Sequence, residues 1–340
     1  MTVGDAKDLE ALVDEGTYPC LLLGASTVTL VFLVQMTFTF RPNISNMATG
    51  QWSLSPRHYL CADTRGRLGN QMFQYASVFG VSRRTNMSMR IKRSDLVAKY
   101  FHVSAADVFD FDDSCKQAGL RIESKCCSFD PKMLRFKTNK NWKLSSYLQS
   151  WKYFEHVEEE LKMEFRFKKT IAVFAERVFE EAVKGTKYYG KGGAFVGIHI
   201  RRGDMATFAV NVNGTKVLMY NVAPMHYILN AMRYFVSHFH KVAFVICSDE
   251  MSWVKNNFTR YKYLLNLVFI HNRKSIVDLA ILSKANHTIV TSGTFGWWAA
   301  WLAGGTTVYY KHFVPESSPL RSQFSSDFSD YYPPGWIGME

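Results

Sequence analysis

What this sequence has little of narrows its reading first. Its six cysteines show no metal-ligand or redox spacing. Cys126 and Cys127 are adjacent, where zinc knuckles and thiol oxidoreductases place two residues between the pair. Long low-complexity tracts are absent and apolar content is ordinary, which excludes a disordered chain. Acids are scarce, with 29 against 41 lysines and arginines, for a net charge of +12. The first fifteen residues hold five acids and only Lys7, so the remainder carries about +16 by difference. That balance suits a phosphate-bearing substrate, an anionic membrane or nucleic acid. The basic residues are scattered rather than gathered into one run, which argues against nucleic acid.

Charge is missing altogether from Gly16 to Phe40, and Leu21 to Phe40 alone supplies the ~20 residues that cross a bilayer core. A single transmembrane span is expected there. A cleaved signal peptide is disfavoured because no positive n-region precedes the run and the run is long. Ser26, Thr27, Thr29, Thr37 and Thr39 dilute its hydrophobicity and keep a buried core helix as the competing reading. Flanking charge, Lys7 before and Arg41 and Arg57 after, leans weakly against a cytoplasmic N-terminus. Sequons at Asn43, Asn86, Asn213, Asn257 and Asn286 point to the secretory lumen, with that at Asn286 expected to be unused because a glycan there would crowd the fold. Cys61, Cys115, Cys126 and Cys127 are the available disulfide partners, since Cys20 falls at the span and Cys247 in a buried strand.

The length suits two lobes. The expected organisation is a tail over 1–15, a signal-anchor span over 16–40, a Pro-, Gly- and Ser-containing stem over 41–57, a first lobe over 58–190 and a second over 191–340. In the second lobe apolar runs alternate with helical periodicity, which predicts βαβ units and a parallel sheet. Residues 95–150 give little.

The chain is organised around Gly193 to Asp204. An apolar run typical of a strand buried on both faces ends in Arg201-Arg202-Gly203-Asp204. Ligands of open parallel sheets bind beyond the carboxyl ends of the strands, so paired arginines there predict an anion site. The bland alternative is a surface ion pair between Arg202 and Asp204. Two further turns have the same form. Gly66-Arg67-Leu68-Gly69-Asn70-Gln71 joins a strand to a helix, though it is not GxGxxG; Asn70 and Gln71 can reach a ligand or cap the helix. Ser292-Gly293-Thr294-Phe295-Gly296 offers hydroxyls and backbone N–H groups at a helix start, which suits an oxyanion or phosphate, or simply a capped helix. Asp278 either accepts hydrogen bonds from a ligand or complements its helix dipole.

Taken together these segments resemble the α-1,2-fucosyltransferases, glycosyltransferase family 11. His199-Ile200-Arg201-Arg202-Gly203-Asp204 is similar to their H-x-R-R-x-D motif, and Ile246 to Trp253, Asp278 to Gly305 and Gly66 to Ala76 are similar to three further blocks. The resemblance covers about 60–312, weakly over 95–190. It implies a Golgi-resident, type II single-span enzyme with a lumenal, GT-B-like α/β catalytic domain of two Rossmann-like lobes facing a cleft. The first lobe would hold the acceptor and the second GDP-fucose, with fucose transferred under inversion to the 2-hydroxyl of a sugar, usually galactose. It also implies donor binding by Asn70, His199, Arg201, Arg202, Ser248, Asp249, Asp278, Ser292, Gly293, Thr294 and Phe295. Arg201 would stabilise the leaving diphosphate, and Asp204 is the candidate base, or else orients Arg202. Because two arginines can replace a divalent metal, no metal or other cofactor is expected. The rival reading is a membrane-anchored, catalytically inactive protein of the same fold that binds glycan or nucleotide sugar. Nucleic-acid binding is remote.

Overall fold

The computed structural model describes residues 58–107, 111, 115–271 and 274–340. The expected tail, span and stem, with Asn43 and Cys20, lie outside the described residues. Among the described residues no helix is long and apolar enough to cross a membrane.

Two parallel sheets organise the chain. The first begins with β1 (Tyr59–Ala62), the helix α1 (Leu68–Thr85) and β2 (Ser88–Arg90). A short helix α2 (Leu96–Tyr100) follows, then β3 (Gly119–Ile122) and β4 (Trp142–Ser145). Their order is β2-β1-β4-β3, every pair parallel. Edge strand β3 leaves Leu120 and Ile122 exposed, so its pattern reads poorly as a strand. Two strands thus occupy the stretch from which the sequence yielded little.

Two helices follow, α3 (Glu158–Glu164) and α4 (Lys169–Lys184). Glu158, Glu159 and Glu160 are exposed, as a solvated charged face requires. The second sheet starts with β5 (Ala194–Ile200), the strand that carries the arginines. An antiparallel hairpin, β6 (Ala209–Val212) and β7 (Thr215–Leu218), interrupts the alternation. Then come α5 (Met225–His238), β8 (Val242–Ser248), α6 (Met251–Phe258) and β9 (Leu267–Phe269). The series closes with α7 (Ser275–Leu282), β10 (His287–Val290), α8 (Gly293–Ala303), β11 (Thr307–Tyr310) and β12 (Ile337–Met339). Strand order is β12-β11-β10-β5-β8-β9, all parallel, with β10 and β5 in the middle.

Pro56–Glu340 forms one compact unit, and aromatic side chains join its two sheets. Phe73 of α1 lies with its ring 4.5 Å from that of Trp297 and 5.0 Å from that of Trp298 on α8, and Phe154 stacks on Trp298. The indole nitrogens are not stranded: Trp298 Nε1 donates to Gly69 O at 3.0 Å and Trp297 Nε1 to Tyr331 O at 2.9 Å. Burying one such ring is worth about 2–3 kcal/mol.

Cys61 is bonded to Cys115 and Cys126 to Cys127, while Cys247 is a buried free thiol. Asn86 and Asn213 are exposed in left-handed turns, whereas Asn257 Nδ2 donates to Trp253 O within α6. Asn286, also exposed, takes part in the sheet end, its Oδ1 accepting from Phe195 N at 2.8 Å.

Candidate active site

Three turns converge at the carboxyl edge of the second sheet. β5 delivers Arg201, whose backbone N–H donates to Thr291 Oγ1 at 2.9 Å; that hydroxyl in turn donates to His199 O at 3.3 Å. This fixes where the guanidinium starts. Arg201 Nη1 donates to Asp249 Oδ2 at 2.6 Å and Nη2 donates to Asp204 Oδ1. The second oxygen of Asp249 accepts from Arg202 N at 2.9 Å, and the second oxygen of Asp204 lies 3.3 Å from Arg67 Nη2 of the first sheet's glycine turn. A charged network with two arginines and two aspartates is thereby assembled from both sheets.

Asp204 therefore pairs with Arg201 and Arg67, and the ion pair with Arg202 that the sequence allowed is not made. Consecutive residues leaving a strand point to opposite sides, and Arg202 lays its guanidinium over the Trp253 ring at 3.8 Å. Ser248, at the end of β8, accepts from Glu250 N at 3.0 Å through its Oγ.

The turn at 292–296 is already helix: Ser292 is the N-cap position of α8, and Gly293 to Phe295 are its first turn. Its hydroxyl makes no capping bond, and the plain capped-helix reading fails. Ser292 Oγ is buried without a hydrogen-bond partner, and the same holds for His199 Nδ1 and Asp278 Oδ1. Burial pushes the His199 imidazole down to about 3, with Arg201 adding to the effect, so the ring is neutral at physiological pH. It packs on Phe295 at 4.8 Å and against Gly296, where a Cβ would come within 2.8 Å of Nδ1. Burial alone pushes the Asp278 carboxyl up to about 7. Asp278 stands in the first turn of α7 and acts electrostatically on Cys247, the residue paired in register with His199. Buried polar atoms without partners are costly, and three of them at the carboxyl edge that also carries Arg201 suit a polar ligand's site.

From the first sheet, Asn70 Oδ1 accepts from Thr294 Oγ1 at 2.9 Å and from Gln149 Nε2 at 3.2 Å. Asn70 thus reaches the edge of the turn. Gln71 does not: its Oε1 accepts from Leu96 N at 2.7 Å and starts α2. Arg67, Thr291 and Gln149 belong to the site and were not singled out from the sequence. Only Arg67 carried a signal there, as a base between the two glycines of its turn.

One D-x-D spacing, Asp110-Phe111-Asp112, does occur in the chain, with both aspartates outside the described residues. Among the described residues no group of three or more His, Cys, Asp or Glu is placed to hold a metal ion.

The profile of glycosyl transferase family 11 matches residues 33–340. Galactoside 2-alpha-L-fucosyltransferase Sec1 of Mus musculus is 30% identical over 291 residues, covering 81% of this chain and 72% of that protein. Galactoside alpha-(1,2)-fucosyltransferase 2 of Sus scrofa is 29% identical over 285 residues, 81% of this chain and 78% of its own length. Among solved structures, fucosyltransferase NodZ from Bradyrhizobium aligns with a TM-score of 0.46 at 14% identity, over 71% of this chain and 91% of that one.

Proposed function

Since the chain belongs to glycosyl transferase family 11, we propose that it transfers L-fucose from GDP-fucose to the 2-hydroxyl of a glycan galactose, inverting the anomeric centre. The observation that carries this reading is the gathering of Arg201 with three unpartnered buried atoms, His199 Nδ1, Asp278 Oδ1 and Ser292 Oγ, at one sheet edge. Relatives named galactoside 2-alpha-L-fucosyltransferases support the donor sugar and the linkage.

The chemistry follows from where charge develops. The acceptor oxygen attacks fucose C1, the bond from C1 to the diphosphate oxygen breaks, and its electron pair leaves with GDP. Negative charge grows on the diphosphate, where Arg201 and the N–H groups at the start of α8 meet it. Guanine presents an N–H and an amino group side by side, which the Asp278 carboxylate can accept together. Thr294, Phe295 and Asn70 close the rim. Arg202, stacked on Trp253, holds the turn with Asp249 and Ser248.

Asp204 takes the acceptor proton. In the described arrangement its Oδ1 is held by Arg201; when the diphosphate claims that guanidinium, the oxygen is released facing the acceptor. A guanidinium already does what a divalent cation would do at the leaving group, so the reaction runs without metal. The lobes are assigned as a GT-B-like pair, 58–190 for the acceptor and 191–340 for the donor. Residues 16–40 anchor the chain in the Golgi membrane with the catalytic part lumenal.

The test is transfer from labelled GDP-fucose to a β-galactoside with EDTA present, followed by linkage analysis. Fucose on O2 supports the reading. Tight GDP binding with neither transfer nor hydrolysis would replace it with the inactive binding protein.

A further inference from the structure

Two features beside Arg201 are not used by the donor. The first is the hairpin β6–β7, whose first strand starts at Ala209, shortly after Asp204. Its base is fixed by Phe208 N donating to Asp204 O and Met219 N donating to Phe208 O, both at 2.9 Å. Phe208 and Tyr220 face each other across this base, ring centroids 6.2 Å apart and 26° from parallel, with Phe208 49% exposed. Phe208 thus packs one face on Tyr220 and keeps the rest of its ring in water beside Asp204, within reach of a ligand.

The second feature is the turn after β4. Ser146 has φ 124° and Leu148 φ 52°, both in the region that non-glycine residues avoid. Buried groups pin the turn from each side. Gln74 Nε2 donates to Ser146 O at 3.0 Å, Ser77 Oγ donates to Leu148 O at 2.8 Å and Leu148 N donates to Glu123 Oε2 at 3.0 Å. Between the two strained residues stands Tyr147, 36% exposed. Backbone strain of this kind persists only where the surroundings enforce it, and it clusters where a side chain must be presented. The turn reaches the site through Gln149, two residues after Tyr147, whose Nε2 donates to Asn70 Oδ1 at 3.2 Å where Thr294 also bonds; Tyr147 and Asp204 both act electrostatically on Tyr220, whose phenol is pushed up first by burial.

We propose that Tyr147 from the first sheet, with Phe208 and Tyr220 from the hairpin base, forms an aromatic clamp that grips the acceptor's terminal pyranose beside Asp204. This rests on the transferase reading. A β-galactoside suits the clamp because its axial 4-hydroxyl leaves the opposite ring face a continuous patch of C–H groups, which stack on aromatic rings while the equatorial hydroxyls stay hydrated. The 2-hydroxyl of a ring so held is free to turn toward Asp204. One wall follows a strand of the first sheet and the other is the base of the hairpin that follows β5, so acceptor binding also reports whether the two parts are docked.

The experiment measures binding of methyl β-D-galactopyranoside to the full chain with GDP bound, by saturation-transfer NMR, beside acceptor and donor KM values. Tyr147→Ala and Phe208→Ala each weaken galactoside binding and raise acceptor KM about tenfold, while the Kd for GDP stays within about twofold. Tyr147→Phe and Phe208→Tyr, which keep the ring, restore binding. Phe208 is a surface position, so its variants test the idea even where a Tyr147 variant folds poorly. Galactoside binding unchanged in both alanine variants, or absent from the wild-type chain, overturns the clamp. A wild-type chain that binds galactoside through these rings but transfers nothing would sink the transferase reading and leave the clamp standing. Normal transfer by both alanine variants would do the reverse.

Discussion

Asn70 Oδ1 accepts a hydrogen bond from Thr294 Oγ1 at 2.9 Å, so the first turns of two helices 224 residues apart share a contact. The approach is close because residue 69 is glycine. A Cβ there would lie 2.7 Å from Thr294 Oγ1 and 2.8 Å from Phe295 N, and backbone cannot step aside as a flexible side chain can. Gly69→Ala is expected to cost about 1–3 kcal/mol through overpacking and to weaken GDP binding with it. Thr294→Val, which removes only the hydroxyl, is expected to cost about 1 kcal/mol. Denaturant midpoints and calorimetric GDP titration check both, and a neutral Gly69→Ala would mean the two turns are not in contact in solution.

Arg201 and Asp204 separate kinetically if their roles are as proposed. Arg201→Ala removes the group that meets the leaving diphosphate and is expected to lower kcat about 10²–10³-fold while the circular dichroism spectrum is preserved. Asp204→Asn is expected to lower kcat about 10²–10⁴-fold with the Kd for GDP changed only a few-fold, because the base acts on the acceptor and not on the donor. Near-normal transfer by Asp204→Asn would move the base elsewhere. Equal loss of donor affinity would make Asp204 a binding residue.

Asp278 gives donor binding a pH dependence. Its carboxyl is held up to about 7 by burial, so half of it is protonated at neutrality, and a proton there blocks the two guanine donors. Affinity for GDP is therefore expected to rise as pH increases from about 6 to 8 and then level. Asp278→Asn should weaken GDP about 10–100-fold at pH 8 and abolish that rise. A pH profile unchanged by the substitution would show that guanine sits elsewhere.

The second sheet was legible because buried parallel strands are continuous apolar runs, as in Val242–Ser248, and the alternation with helices leaves one topology. β12 was not legible: three half-buried residues, Ile337–Met339, carry no pattern of their own and are strand only because β11 lies beside them. The arginines, Asp278 and the 292–296 turn could be named from residue type and position. Their partners could not. Sequence proximity offered Arg202 as the mate of Asp204, but Arg202 turns to Trp253, and Arg201 with Arg67 from the other sheet takes its place. Gln149 meets Asn70 across 79 residues, a pairing that only the docked helices create.

Stability should fall with rising pH near neutrality, and Glu123 is the reason. Its carboxyl is buried with Tyr153 Oη donating to Oε1 at 2.9 Å, and burial pushes it up to about 8. In the unfolded chain it ionises near 4.5, so the folded state keeps a proton that the unfolded state has lost. Stability falls as pH rises through that interval, by about 1.4 kcal/mol per pH unit, and levels above about 8. Asp278 acts in the same direction but ends near 7. His199, held down to about 3, acts oppositely and is finished by 6.5, the ordinary value for its imidazole. Between pH 7 and 8 Glu123 is the group left titrating of these three. Glu123→Gln, which keeps the shape and cannot ionise, should remove the decline in urea midpoint across that interval. A decline that persists unchanged in the variant would mean the carboxyl is already charged in the folded protein, with the strained turn at Ser146 and Leu148 held by an anion.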